Sequence, residues 1–211
     1  MRAAIRFLWR QYAPASAVFL LYALLMTLFR SCSSAGPAGS PLWTYYYMFP
    51  IVPALFLLVF NFGVHSTFLD IALSMGCTRR GFLWGHQLLM VLLTLGLSAL
   101  TALFLFVPGL LGLPEADFMA PAGLVYLVPF TLATAEAASA GGTLRRTHPR
   151  LSLGFYALCL LVLIALAVQV QVAAVPWLWG DLAWILALVS VILGILSLGV
   201  CVYGTRRAVV R

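Results

Sequence analysis

Glu136 is the one carboxylate set inside a long apolar run of this chain, within the tract Ala133-Thr134-Ala135-Glu136-Ala137-Ala138-Ser139-Ala140-Gly141-Gly142. An ionisable group among hydrophobic neighbours is costly unless paired or wetted, which makes it a candidate for binding or transport chemistry. Arg145 and Arg146 follow about two helical turns later, so a structural ion pair is expected there rather than a proton relay. Asn61, Gln169 and Gln171 lie in other apolar runs, where such side chains line a pathway or hydrogen-bond helix to helix. His65, His86 and His148 are too scattered to predict a metal site and are expected to be exposed. Cys32, Cys77, Cys159 and Cys201 stand far apart with no CxxC spacing, which gives neither a disulfide framework nor a zinc site.

Catalytic patterns are absent. There is no HExxH or GxSxG, and no second carboxylate within an apolar run that would pair with Glu136. A phosphate-cradling GxxxxGK[ST] loop needs a lysine, and the twelve basic residues are all arginine. The chain is therefore not expected to be an enzyme, and no cofactor or metal is expected in it.

These residues are carried by elements that composition identifies. Of 211 residues, 64% are hydrophobic and 8% charged, with mean hydropathy +1.09. So few charges cannot cover a water-soluble surface, and an all-α integral membrane protein follows. Six runs are long enough to cross a bilayer, at about 14–29, 46–64, 88–107, 121–142, 151–175 and 182–203. The first is retained as a span rather than a cleaved leader, because it is long for a signal core and Arg30 interrupts the approach to a cleavage site. Pro50 and Pro53 are expected to kink the second span.

The net charge of +7 resides in small arginine clusters between the runs, which is a topology signal and not a nucleic-acid surface. With both termini inside, eleven of the twelve arginines are cytoplasmic and only Arg30 falls outside. Trp43 and Tyr45 to Tyr47, then Trp177, Trp179 and Trp184, mark the outer headgroup level. Met1 to Tyr12 carries Ile5, Leu8, Trp9 and Tyr12 beside a stripe of Arg2, Arg6 and Arg10, the layout of an amphipathic helix lying on membrane lipid.

The longest inside connection, His65 to Gln87, holds a polar stripe of Thr67, Asp70, Ser74 and Thr78 opposite Phe68, Leu69, Ile71, Ala72 and Met75. Gly76 is placed to end that helix in a left-handed conformation and Thr78 to cap the next. Either a lever against a soluble partner or a connector resting on lipid has this form.

The run from Ala72 to Gly85, Ala-Leu-Ser-Met-Gly-Cys-Thr-Arg-Arg-Gly-Phe-Leu-Trp-Gly, resembles the S-x-G-x-T-R-x-x-F-x-x-G segment after span two of small six-span ABC exporter permeases, the type-two permease family. Length, span number and the basic amphipathic start are similar to that family throughout the chain. The resemblance implies a single permease domain over 1–211, with Thr67 to Met75 as a coupling helix docked on a separate ATP-binding cassette subunit, which binds ATP and magnesium. It implies partner contacts at Asp70, Ser74, Thr78, Arg79 and Arg80, structural roles for Gly76 and Phe82, and pairing with a second copy or a similar permease in a bacterial cytoplasmic membrane. The chain departs from larger members between spans five and six, where Pro176 to Asp181 leaves no room for re-entrant helices.

The expected function is ATP-driven export of a hydrophobic or amphipathic peptide, lipid or drug. Two alternatives stand beside it: an ATP-coupled sensing or resistance module without substrate flux, and an ATP-independent carrier or channel driven through Glu136.

Overall fold

The computed structural model describes residues 2–32, 51–110, 126–172 and 181–207. Among the described residues the chain is all-helical: α1 (Arg2–Cys32), α2 (Ile51–Gly63), a π-helical segment (Val64–Phe68), α3 (Leu69–Ser74), α4 (Arg79–Leu110), α5 (Leu127–Leu144), α6 (Pro149–Val172) and α7 (Asp181–Arg207). Among the described residues three stretches are long and apolar enough to cross a membrane: Val52–Ser74, Arg79–Leu103 and Trp184–Arg207. Their exposed faces carry large aliphatic side chains such as Leu92, Leu95, Leu188 and Ile195. A surface of this kind suits lipid and not water, and the chain is a membrane protein.

α5 is the central helix, packed on α2, α4, α6 and α7. Its tract of Ala, Ser and Gly is buried almost throughout, because small side chains let neighbouring backbones come close. A close backbone approach is at Gly142, where a Cβ would stand 2.6 Å from the carbonyl oxygen of Phe62 and 3.1 Å from His65 Cβ. α5 therefore nests where α2 passes into the π segment.

Several expectations change in the structure. The amphipathic start and the first span form one helix, α1, which runs through Pro14. A proline removes one backbone bond without ending a helix that packing holds on both sides, and here Leu8, Tyr12 and Phe19 are all buried. The buried stripe is Ala4, Leu8 and Tyr12, whereas Trp9 is exposed. The reason is contact with protein in place of lipid: a Cβ on Gly85 of α4 would lie 3.3 Å from Ile5 Cγ1 and 3.4 Å from Ala4 Cβ, so α1 turns that face onto α4. The second expected span and the expected coupling helix likewise form one rod, α2–π–α3. Pro53 falls in the first described turn of α2, and Pro50 lies outside the described residues together with 121–125, 173–175 and the aromatic groups at 43–47, Trp177 and Trp179.

Four arginine-bearing segments gather at one end of the bundle. The α1 N-terminus meets α4 at Gly85. Asp70 pairs with Arg146 in the α5–α6 loop at 2.6 Å, and Arg79 donates to the Arg206 carbonyl near the end of α7 at 3.2 Å.

Candidate functional site

The turn between α3 and α4 is built from local rules. Gly76 has φ 85°, the left-handed region that a side chain disfavours. The Cys77 amide donates to the Ala72 carbonyl at 2.9 Å and the Gly76 amide to that of Leu73 at 3.1 Å, which closes α3. Thr78 opens α4, its Oγ1 accepting from the Gly81 amide at 3.0 Å. Met75, Thr78, Arg79, Arg80 and Trp84 are left exposed on one projecting corner.

Of the residues expected to contact a partner, Asp70 is engaged within the chain by Arg146. Ser74 donates to the Ile71 carbonyl at 2.8 Å. Phe82 is fully buried, stacked with the His86 ring at 6.3 Å and edge-on to His65 at 5.7 Å. The exposed cationic surface of the corner is thus Arg80 together with Arg79, whose guanidinium also donates to the Arg206 carbonyl.

The bundle interior holds a second feature, a polar cluster supplied by five helical rods. Tyr12 of α1 donates its hydroxyl to Asn61 Oδ1 of α2, and the Tyr12 hydroxyl oxygen also lies 3.5 Å from His86 Nδ1 and 3.8 Å from Met90 Sδ. His86 Nε2 of α4 is 3.0 Å from Ser139 Oγ of α5. Next to it, Gln87 Nε2 donates to Glu136 Oε2 at 3.1 Å. His65 of the π segment packs edge-on against His86 with ring centres 4.4 Å apart, and its Nε2 lies 3.1 Å from the Cys201 sulfur of α7. Thr143 closes the group from α5, donating to the Ser139 carbonyl at 2.8 Å and lying 4.0 Å from Cys201. Tyr12, Asn61, His65, His86, Ser139 and Cys201 are all completely buried, and Glu136 is 4% exposed.

This cluster corrects two expectations. His65 and His86 are interior residues, not exposed ones, since the α4 register that buries Phe82 also turns His86 inward. Glu136 is not paired with arginine: Arg146 is held by Asp70, and Arg145 lies over the Phe62 ring at 5.8 Å. Both arginines follow the end of α5 and are engaged by groups on α3 and α2. Asn61 joins the cluster as a helix-to-helix hydrogen-bonding group. The Gln169 and Gln171 side chains lie outside the described residues.

Sequence reading missed the cluster as a whole. Its available signals were the Asn61 and His65 pair at i, i+4 and the adjacent His86 and Gln87, both next to apolar runs. Among the described residues no group of three or more His, Cys, Asp or Glu side chains is arranged to hold a metal ion. Comparison with family models, curated proteins and solved structures found no match.

Proposed function

We propose that the chain is the membrane-spanning subunit of an ATP-driven exporter in a bacterial cytoplasmic membrane, with six spans, both termini inside, and ATP hydrolysed by a separate ATP-binding cassette subunit. The observation that carries this reading is the corner at Gly76 to Arg80. It is a rigid, capped turn with two exposed arginines, at the end of a continuous rod that reaches the bundle interior. A soluble partner with an acidic groove can grip such a corner, and the rod passes the resulting displacement inward. The four arginine-bearing segments gathered at one end agree with a common cytoplasmic side. In this reading Asp70 braces the corner through Arg146 and does not itself touch the partner.

The permease works with a second copy or a similar chain, and its aliphatic outer faces suit a substrate that is hydrophobic or amphipathic. The test is co-purification from native membranes. Wild-type protein should bring down a stoichiometric ATP-binding subunit with ATPase activity, and Arg79→Glu with Arg80→Glu should lose both while the chain stays folded. Recovery of the chain alone, stable and without ATPase activity, would overturn the reading.

A further inference from the structure

Glu136 lies in the bundle interior, and among the described residues no cation is paired with it. Among those residues it is held by the neutral amide of Gln87, at 3.1 Å. This choice of partner matters chemically. An arginine would hold the carboxylate permanently ionised. A glutamine amide donates to the carboxylate through its nitrogen and, turned over, accepts from the carboxylic acid through its oxygen. The pair can therefore serve both protonation states without rearranging the helices.

Two polar tracks meet at this hydrogen bond. Gln87 is eight residues from the start of α4 and Glu136 eight from the end of α5, about 12 Å in from the arginine-rich end. From Glu136 towards that end, α5 presents Ser139 and Thr143, both buried. In the opposite direction α4 carries Thr94, Ser98 and Thr101 at i+7, i+11 and i+14 from Gln87, which places all four on one helix face. Thr94, Ser98 and Thr101 are 1%, 4% and 0% exposed. Thr101 donates to the carbonyl one turn back at 2.8 Å, as Ser139 and Thr143 do. The hydroxyls of Thr94 and Ser98 have no protein partner although both are buried. Unpaired hydroxyls along one inward face are the groups that water or a migrating proton would use.

We propose that Glu136 is a proton-exchange site within the membrane, reached from the arginine-rich end along Ser139 and Thr143 and from the other end along Thr94, Ser98 and Thr101. In the loading step a hydronium ion at one end gives its proton to a Glu136 carboxylate oxygen and leaves water. In the unloading step the O–H bond breaks and water at the other end takes the proton, so no electrons are transferred. The ionisable groups sharing this interior are Tyr12 from α1, His65 from the π segment, His86 from α4 and Cys201 from α7, with Tyr156 of α6 against Phe62. None bears a fixed positive charge, and Arg146, whose charge is felt at His65, is paired with Asp70. The inference rests on the membrane-spanning bundle and not on the ATP-coupled part of the proposed function, which a separate co-purification tests.

The experiment uses the full-length chain in liposomes with a potassium gradient, valinomycin and an enclosed pH dye, alongside dicyclohexylcarbodiimide, which attacks protonated carboxyls in apolar surroundings. Wild-type vesicles should take up protons faster than empty ones. Glu136→Gln should lower that rate at least tenfold, Glu136→Asp should keep part of it, and Thr94→Val with Ser98→Ala should lower it severalfold. The carbodiimide should label Glu136, faster at low pH, and labelling should vanish in Glu136→Gln. Wild-type flux equal to that of empty vesicles, flux unchanged in a folded Glu136→Gln, or an unlabelled Glu136 would overturn the proposal.

Discussion

Adding one methyl group at Gly142 tests the packing that holds the interior cluster together. The new Cβ would stand 2.6 Å from the Phe62 carbonyl oxygen and 3.3 Å from the Ser66 amide nitrogen, so the obstruction is backbone and cannot rotate away. Overpacking of a well-filled interior costs about 1–3 kcal/mol, and a backbone obstruction belongs at the upper end. Alanine in place of glycine returns about 1 kcal/mol through helix propensity. The net expectation is a loss of about 2 kcal/mol, roughly a thirtyfold fall in the folded-to-unfolded ratio. Two other glycines calibrate the result. Gly141→Ala meets only the rings of Phe155 and Phe62 at 3.3–3.5 Å and should be near neutral. Gly154→Ala meets nothing within 4 Å and should be stabilised by up to about 1 kcal/mol. Reversible denaturant unfolding in mixed micelles, followed by tryptophan fluorescence, ranks the three. A Gly142→Ala variant as stable as Gly154→Ala would refute the close approach of α5 to the π segment.

Four further outcomes are expected. Tyr12→Phe leaves the buried Asn61 carbonyl without its donor and should cost about 1–3 kcal/mol, read by the same unfolding assay and by faster tryptic cleavage at Arg6 and Arg10. Thr78→Ala removes the α4 cap and should cost about 1 kcal/mol, and Gly76→Ala, forced to φ 85°, about 1–2 kcal/mol, both by thermal unfolding in detergent. Asp70→Arg and Arg146→Asp should each destabilise while their combination recovers most of the loss; with Asp70 at 39% exposure the coupling in a double-mutant cycle should be about 1 kcal/mol or less. Single cysteines replacing Arg80, Arg150 and Arg207 in a cysteine-free background should react with a membrane-impermeant maleimide from one and the same side, and opposite-side labelling of any of them would break the six-span arrangement.

What the sequence made legible follows from how local each feature is. The turn at Gly76 and Thr78 depends on one backbone conformation and one side-chain cap, which residue type alone dictates, and both are present. The apolar runs at 88–107 and 182–203 reappear within α4 and α7 because span length is a property of composition. Burial of particular faces is set by tertiary contact and was not legible. Trp9 has the spacing of an inward residue, yet α1 meets Gly85 through Ala4 and Ile5, and Trp9 is left exposed. Arg146 is as near to Glu136 in sequence as a salt bridge needs, but α5 ends before it, and the partner it finds, Asp70, lies on another rod. The His65 contact with Cys201 joins residues 136 positions apart, a distance no periodicity encodes.

The rod formed by α2, the π segment and α3 has a mechanical consequence. Gly142 rests on the Phe62 carbonyl near the middle of the stretch Val52–Ser74. Twelve residues lead from Phe62 to Ser74 and ten lead back to Val52, arms of about 18 and 15 Å. Were the rod to pivot there as a stiff lever, pushing the arginine corner aside by about 2 Å would swing the far end by about 1.7 Å the opposite way. In that geometry His65 and Asn61, three residues or fewer from Phe62, would be the groups displaced least.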